Sequence, residues 1–193
     1  MFNVTGLPVP PPYVRPTDVI TEVKNKDVSV RSLEMPDAGG NLLGTEVTIN
    51  TGSGDDNVHI YKDRQGRTVA DINGELYGFK FGRVPEYNLL TINTGAGNDN
   101  VKIDDDVDVM AFINTGDDDD SVSTGGSTFP RVRAGNGNDT VRLGKKGGHA
   151  YGENGDDHLI SGDGHLMSHL HGGAGDNRLT YRSMTQVYLD KYR

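Results

Sequence analysis

Six times the chain writes one short phrase, a glycine-rich acidic turn followed by a run that alternates apolar and polar residues. The copies begin at Gly52 (GSGDDNVHI), Gly95 (GAGNDNVKI), Gly116 (GDDDDSVST), Gly135 (GNGNDTVRL), Gly152 (GENGDDHLI) and Gly172 (GGAGDNRLT). A repeat commits a chain to stacking, because one short unit cannot bury its apolar face alone and its neighbours must cover it. Counted on the acidic residue that closes each turn (Asp56, Asp99, Asp120, Asp139 and Asp157, with Asn177 in the last copy), the steps are 43, 21, 19, 18 and 20 residues.

The residues around each turn predict how the copies stack. Ahead of it runs one apolar column, Ile49, Ile92, Ile113, Val132, Ala150 and Leu170, and behind it a second, Val58, Val101, Val122, Val141, Leu159 and Leu179. Polar residues alternate with both columns, as strands with one buried face require. An 18-residue step is two nine-residue units, one coil of a two-sheeted roll. The expected fold is therefore all-β: a parallel β-roll or β-helix solenoid with about 18–21 residues per coil. Each coil carries one acidic turn, so these turns should form a single row, opposite degenerate turns at 124–130, 143–148 and 161–166.

The 43-residue step leaves room for an insertion at about 61–90. It reads as a hairpin with strands near Thr68–Ile72 and Leu76–Phe81, joined by Asn73-Gly74, a strong two-residue turn signal. Residues 1–45, proline-rich and then mixed polar, read as an irregular leader or cap with one strand-like run at Val28–Val30. Residues 46–181 make the solenoid and 182–193 a closing cap.

Composition agrees with a narrow core. Only 33% of residues are hydrophobic, tryptophan is absent and glycine reaches 27 residues, which is thin for a compact globule and ordinary for stacked coils. A net charge of −9 argues against nucleic acid or an anionic membrane as partner. The acids crowd into runs such as Asp117–Asp120 and Asp104–Asp106, where close carboxylates repel and call for a counter-charge. Without cysteine, disulfide and thiol chemistry are excluded. The first residues lack the charged and apolar regions of a Sec-type signal peptide, and no run has the length of a membrane-spanning helix. If the protein is secreted, a non-Sec route is expected.

The last copy keeps the doubled glycine of G-G-x-G-x-D-x-U-x, where U is a large apolar residue. That pattern resembles the nonapeptide of RTX proteins, the haemolysin-type calcium-binding repeats of secreted bacterial proteins; the copies at Gly95, Gly135 and Gly152 match it best. The resemblance implies a secreted bacterial setting shared with toxins, proteases, lipases, adhesins and injected effectors, with folding coupled to calcium. The residues support the same ligand. Turn glycines permit positive φ and let carbonyls converge, and the aspartate adds a carboxylate oxygen on the same side. Two successive turns then supply about six hard oxygens, which suits calcium at roughly 2.3–2.6 Å better than the rigid octahedron of magnesium.

The candidate ligand positions are Gly95, Gly97 and Asp99; Gly116, Asp118 and Asp120; Gly135, Gly137 and Asp139; Gly152, Gly155 and Asp157; Gly173, Gly175 and Asn177; and Asp56. Departures from the pattern rank them. Asp118 stands at a glycine position and forces an unusual backbone or offers another ligand; Asn177 is a neutral, weaker donor; the hairpin parts Asp56 from the next turn. Two to four calcium ions are expected. The alternative is a metal-free solenoid in which Asx-turns shape the corners.

Other chemistry is sparse. His149, His169 and His171 fall on one strand face in the stacked alignment, where three nitrogens would suit zinc, although solvent-facing strand residues are the simpler reading. His165 and His169 form His-x-x-x-His, but Leu166 stands where a zinc peptidase carries its glutamate. No nucleophile elbow and no P-loop is present. Arg131, Arg133 and Arg142 leave open a calcium-assisted polysaccharide lyase site on an outer sheet face. A host or polysaccharide partner stays unspecified.

Overall fold

A computed structural model of the chain describes residues 19–25, 27–125, 129–164 and 167–182. The first half holds β1 (Val19–Asn25), β2 (Val28–Pro36), β3 (Leu42–Asn50), β4 (Asn57–Lys62), β5 (Thr68–Ile72), β6 (Glu75–Phe79), β7 (Leu89–Ala96) and β8 (Asn100–Ile103). The second holds β9 (Met110–Asp117), β10 (Ser121–Ser123), β11 (Phe129–Asn136), β12 (Thr140–Arg142), β13 (Gly148–Asn154), β14 (His158–Ile160), β15 (Ser168–Ala174) and β16 (Arg178–Thr180). These strands form two eight-stranded sheets, ordered β1-β2-β3-β7-β9-β11-β13-β15 and β16-β14-β12-β10-β8-β4-β5-β6. The chain is a parallel β-solenoid, each coil crossing from the first sheet to the second through one acidic turn. Among the described residues no helix is long and apolar enough to cross a membrane.

The two apolar columns read from sequence are the core. Ile49, Ile92, Ile113, Val132, Ala150 and Leu170 pair in unbroken parallel register, and all are at least 96% buried. So do Val58, Val101, Val122, Val141 and Leu159, continuing to the half-buried Leu179. A one-residue slip would turn every one of these side chains to solvent, so burial itself fixes the register.

The N-terminal end differs from the expectation of an irregular leader. β1 and β2 form an antiparallel hairpin, and β2 pairs along β3 from Ser29↔Asn50 to Pro36↔Leu42. The hairpin insertion does the same for the second sheet: β5 runs antiparallel to β4, β6 to β5, and Asn73 (φ 53°) and Gly74 (φ 88°) make its turn. The strands of the first coil, β3 and β4, are thus paired on both sides, and the sheet edges at this end pass to β1 and β6. The proline-rich residues 1–18 and, Arg182 apart, the cap expected at 182–193 lie outside the described residues.

Coil-to-coil contact at the turns leaves no room for side chains. Gly135 has φ 118°, and a Cβ there would run into the carbonyl oxygen of Gly116 on the preceding coil. Gly135→Ala is expected to cost about 3 kcal/mol or more, combining left-handed strain with a backbone clash. Gly54→Ala, where a Cβ would meet nothing within 4 Å, is the control and should change stability by less than about 1 kcal/mol. Urea unfolding of the two variants checks the contrast; equal midpoints would mean the coils are not packed this closely.

Candidate metal centre

The acidic turns form a single row, as their spacing implied. The first turn position carries positive φ in every coil, at Gly52, Gly95, Gly116, Gly135, Glu153 and Gly173. The third does so at Gly97, Asp118, Gly137, Gly155 and Gly175. This backbone brings the aspartate at the fifth position back into the turn, and the five aspartates are buried: Asp56 is 7% exposed, Asp99 2%, Asp120 3%, Asp139 1% and Asp157 1%.

Their carboxylates are strung together by the backbone. The amide N–H of Asp56 donates to Asp99 Oδ1 (2.8 Å), that of Asp99 to Asp120 Oδ1 (2.8 Å), and that of Asp120 to Asp139 Oδ1 (2.8 Å). The series continues from Asp139 N–H to Asp157 Oδ1 (3.0 Å) and from Asp157 N–H to Asn177 Oδ1 (2.9 Å). One oxygen of each side chain is thereby satisfied by the coil before it. The other is not: Oδ2 of Asp56, Asp99, Asp120, Asp139 and Asp157 is buried without a hydrogen-bond partner.

Asn177 shows what those oxygens face. Its Oδ1 does the work of the aspartate Oδ1, while its Nδ2 donates to the carbonyls of Gly173 (3.3 Å) and Gly175 (3.4 Å), the first and third turn positions. In the aspartate turns the same geometry sets a carboxylate oxygen where Asn177 sets a donor. Acceptor then meets acceptor, and a buried unpaired carboxylate is costly unless a proton or a cation joins it. The electrostatics agree. Burial raises the carboxyls of Asp99 and Asp157 above their ordinary value; it lifts Asp120 to about 6 and Asp139 to about 7, with neighbouring carboxylates adding to the effect. The donor set of hard carboxylate and carbonyl oxygens fits a calcium-like cation.

Three details of the sequence reading change. The positive-φ residue of the fifth turn is Glu153, which pairs with Gly135 and Gly173, so Gly152 sits one step earlier than its candidate role. A Cβ on Gly152 would strike Asp157 Oδ2, which explains the glycine there. Asp118 adopts the left-handed backbone (φ 79°), but its side chain accepts the Gly97 N–H at 3.1 Å and is exposed, so only its carbonyl faces the column. The hairpin does not part Asp56 from the stack, because β3 pairs with β7 and β4 with β8 across it. Asp56 differs for another reason. Gly54, at the third position, lacks positive φ, and Asp56 Oδ1 accepts from Asn73 Nδ2 (2.6 Å), which stands in for the N–H of an earlier coil.

The sequence reading missed two further ladders. Just before the turn, Thr51 donates to the Thr94 carbonyl (3.2 Å), Thr94 to that of Thr115 (3.2 Å) and Thr115 to that of Ala134 (3.0 Å), all buried. On the outer rim the Asn98 N–H donates to Asp55, that of Asn138 to Asp119, that of Asp156 to Asn138 and that of Asp176 to Asp156, at 2.7–3.0 Å. The recurrence of Thr or Asp/Asn at one repeat position was the available signal.

The histidines do not converge on an ion. His149 and His169 stack face to face at 4.7 Å, and Tyr151 stacks on His171 at 4.9 Å, with Arg131 over the Tyr151 ring at 5.6 Å. His165 and Leu166 lie outside the described residues. Arg133 meets Glu153 at 3.6 Å on the first sheet, whereas Arg142 is on β12 of the second, so the three arginines do not share one face. Among the described residues no three His, Asp or Glu side chains gather as a metal site; each turn of the column offers one carboxylate with backbone carbonyls. No known protein family, curated protein or solved structure matches the chain.

Proposed function

We propose that the acidic turns bind calcium and that the solenoid folds with it. The observation that carries this reading is the row of buried, unpartnered Oδ2 atoms, set against carbonyls that in the last turn receive an amide. The turns of Asp99, Asp120, Asp139 and Asp157 share both positive-φ positions, which gives four sites; the Gly54 backbone excludes the turn of Asp56. These residues hold the ion, which neutralises carboxylates that otherwise repel through a water-poor turn.

Magnitudes favour coupling. At a hundred times its Kd, a ligand stabilises the folded state by about 2.7 kcal/mol per site. Four sites then contribute on the order of 10 kcal/mol, comparable with the whole stability of a domain at about 5–15 kcal/mol. The ion-free chain is accordingly marginal, partly unfolded and low-melting, and the calcium-loaded chain is firmly folded. The RTX resemblance of the turns supports the same reading, and with it a secreted bacterial module that leaves a calcium-poor cytosol unfolded and zips up in calcium outside, within or beside a toxin, effector or secreted enzyme.

A calcium titration of chelator-stripped protein tests this, read by far-UV circular dichroism and calorimetry with magnesium as control. The expected result is a calcium-specific rise in β signal with four ions bound. A protein equally folded in chelator and calcium would instead make the turns a metal-free architecture.

A further inference from the structure

We infer that the Asn177 amide is a built-in substitute for the cation, closing the C-terminal end of the column so that the last turn is complete without an ion. The inference rests on the calcium reading and adds what ends the row. Asparagine and aspartate have the same shape; they differ in whether one terminal atom donates or accepts. At this position both ends of the amide are assigned by their partners. The Asp157 N–H needs an acceptor, and Asn177 Oδ1 supplies it at 2.9 Å; the carbonyls of Gly173 and Gly175 need a donor, and Nδ2 supplies it at 3.3 and 3.4 Å. These three polar requirements are met by one neutral side chain.

The location gives this chemistry a purpose. β15 and β16 are the last strands of the two sheets among the described residues, and among these the turn of Asn177 has a neighbour on one side only. Asn177 is also more exposed than the five buried aspartates. A carboxylate at that place would hold its ion with the ligands of a single turn and with water. An amide satisfies the carbonyls there at any calcium concentration. It also keeps an oxygen on the Asp157 N–H, so the adjoining coil always finds a finished surface to stack on. The same logic makes the residue at the fifth turn position the element that decides, coil by coil, whether an ion is required.

Exchange in both directions tests the assignment, each variant changing one terminal atom. Asn177→Asp should add a fifth and weaker calcium-binding event in calorimetry. It should also widen the gap in melting temperature between calcium and chelator, because the new carboxylate faces two carbonyls unless an ion is present. Asp157→Asn should do the reverse, lowering the calcium count and raising stability in chelator. If Asn177→Asp folds poorly without calcium, recovery of its circular dichroism on adding calcium is itself the expected result; Asn177→Ala, which loses donor and acceptor together, should not be recovered. Wild-type protein that binds calcium while Asn177→Asp leaves both count and gap unchanged overturns the inference alone. Wild-type protein that binds no calcium overturns the functional reading and this inference with it.

Discussion

Replacing Asp139 by alanine is expected to halve the calcium stoichiometry, from four ions to two, and to lower stability even when calcium is saturating. Asp139 is one of the two central carboxylates in the common geometry, with the turn of Asp120 on one side and that of Asp157 on the other. The ion of each turn also draws on the turn beside it, so the loss of one carboxylate damages two sites. The methyl group also leaves the Asp120 N–H without its acceptor at 2.8 Å, and a buried unpaired donor costs about 1–3 kcal/mol. Two lost ions add about 5 kcal/mol at a hundredfold excess over Kd. Calorimetric stoichiometry and a urea melt in calcium measure the two parts separately. An Asp139→Ala protein that binds three ions would show that each turn holds its ion without help from the next, and one that still binds four would remove Asp139 from the ligand set.

Stability should also depend on pH with opposite signs in the absence and presence of calcium. Without the ion, burial raises Asp120 from 3.8 to about 6 and Asp139 from 3.8 to about 7. An acid whose folded-state pKa is raised stays protonated in the folded protein after the unfolded chain has lost its proton. Its help to folding is therefore full below about pH 4 and drains away as pH climbs to about 7. In chelator, the melting temperature should fall across that window and level off above it. Calcium needs the ionised carboxylates, so its binding strengthens across the same window, and the melting temperature in millimolar calcium should hold or rise. The gap between the two curves opens between about pH 5 and 7. A chelator curve that rises with pH over this range would mean the carboxylates are already paired in the ion-free protein.

Both expectations depend on contacts that the sequence shows unequally. The apolar columns through Ile92 and Val101 are legible because burial on one face of a strand leaves a period of two in the letters. Asn73-Gly74 is legible because few residue pairs take two successive positive φ angles. The fifth turn is not legible in this way, because the sequence offers Gly152 and glycine is the usual left-handed residue. The structure gives that conformation to Glu153 (φ 78°) and keeps Gly152 small, for Asp157 Oδ2 lies where its Cβ would be. The β1–β2 hairpin escaped notice because its strands carry charged and apolar residues without the clean alternation of the coils.

The sequence by itself determined that the chain stacks, that its acidic turns fall in one row and that the insertion is a hairpin. Those follow from periodicity and turn chemistry, which are local. Only the tertiary structure decided how the row is wired. Asp99 and Asp120 are 21 residues apart, yet the N–H of one binds the carboxylate of the other. The structure alone shows that one oxygen of each aspartate is satisfied and the other left bare, and that Asn177 turns a donor toward the same carbonyls. The physical reason is that a hydrogen bond is specified by distance and direction between groups on different coils. A repeat fixes which residues become neighbours, but the rise and twist of the stacked coils fix which of their atoms meet.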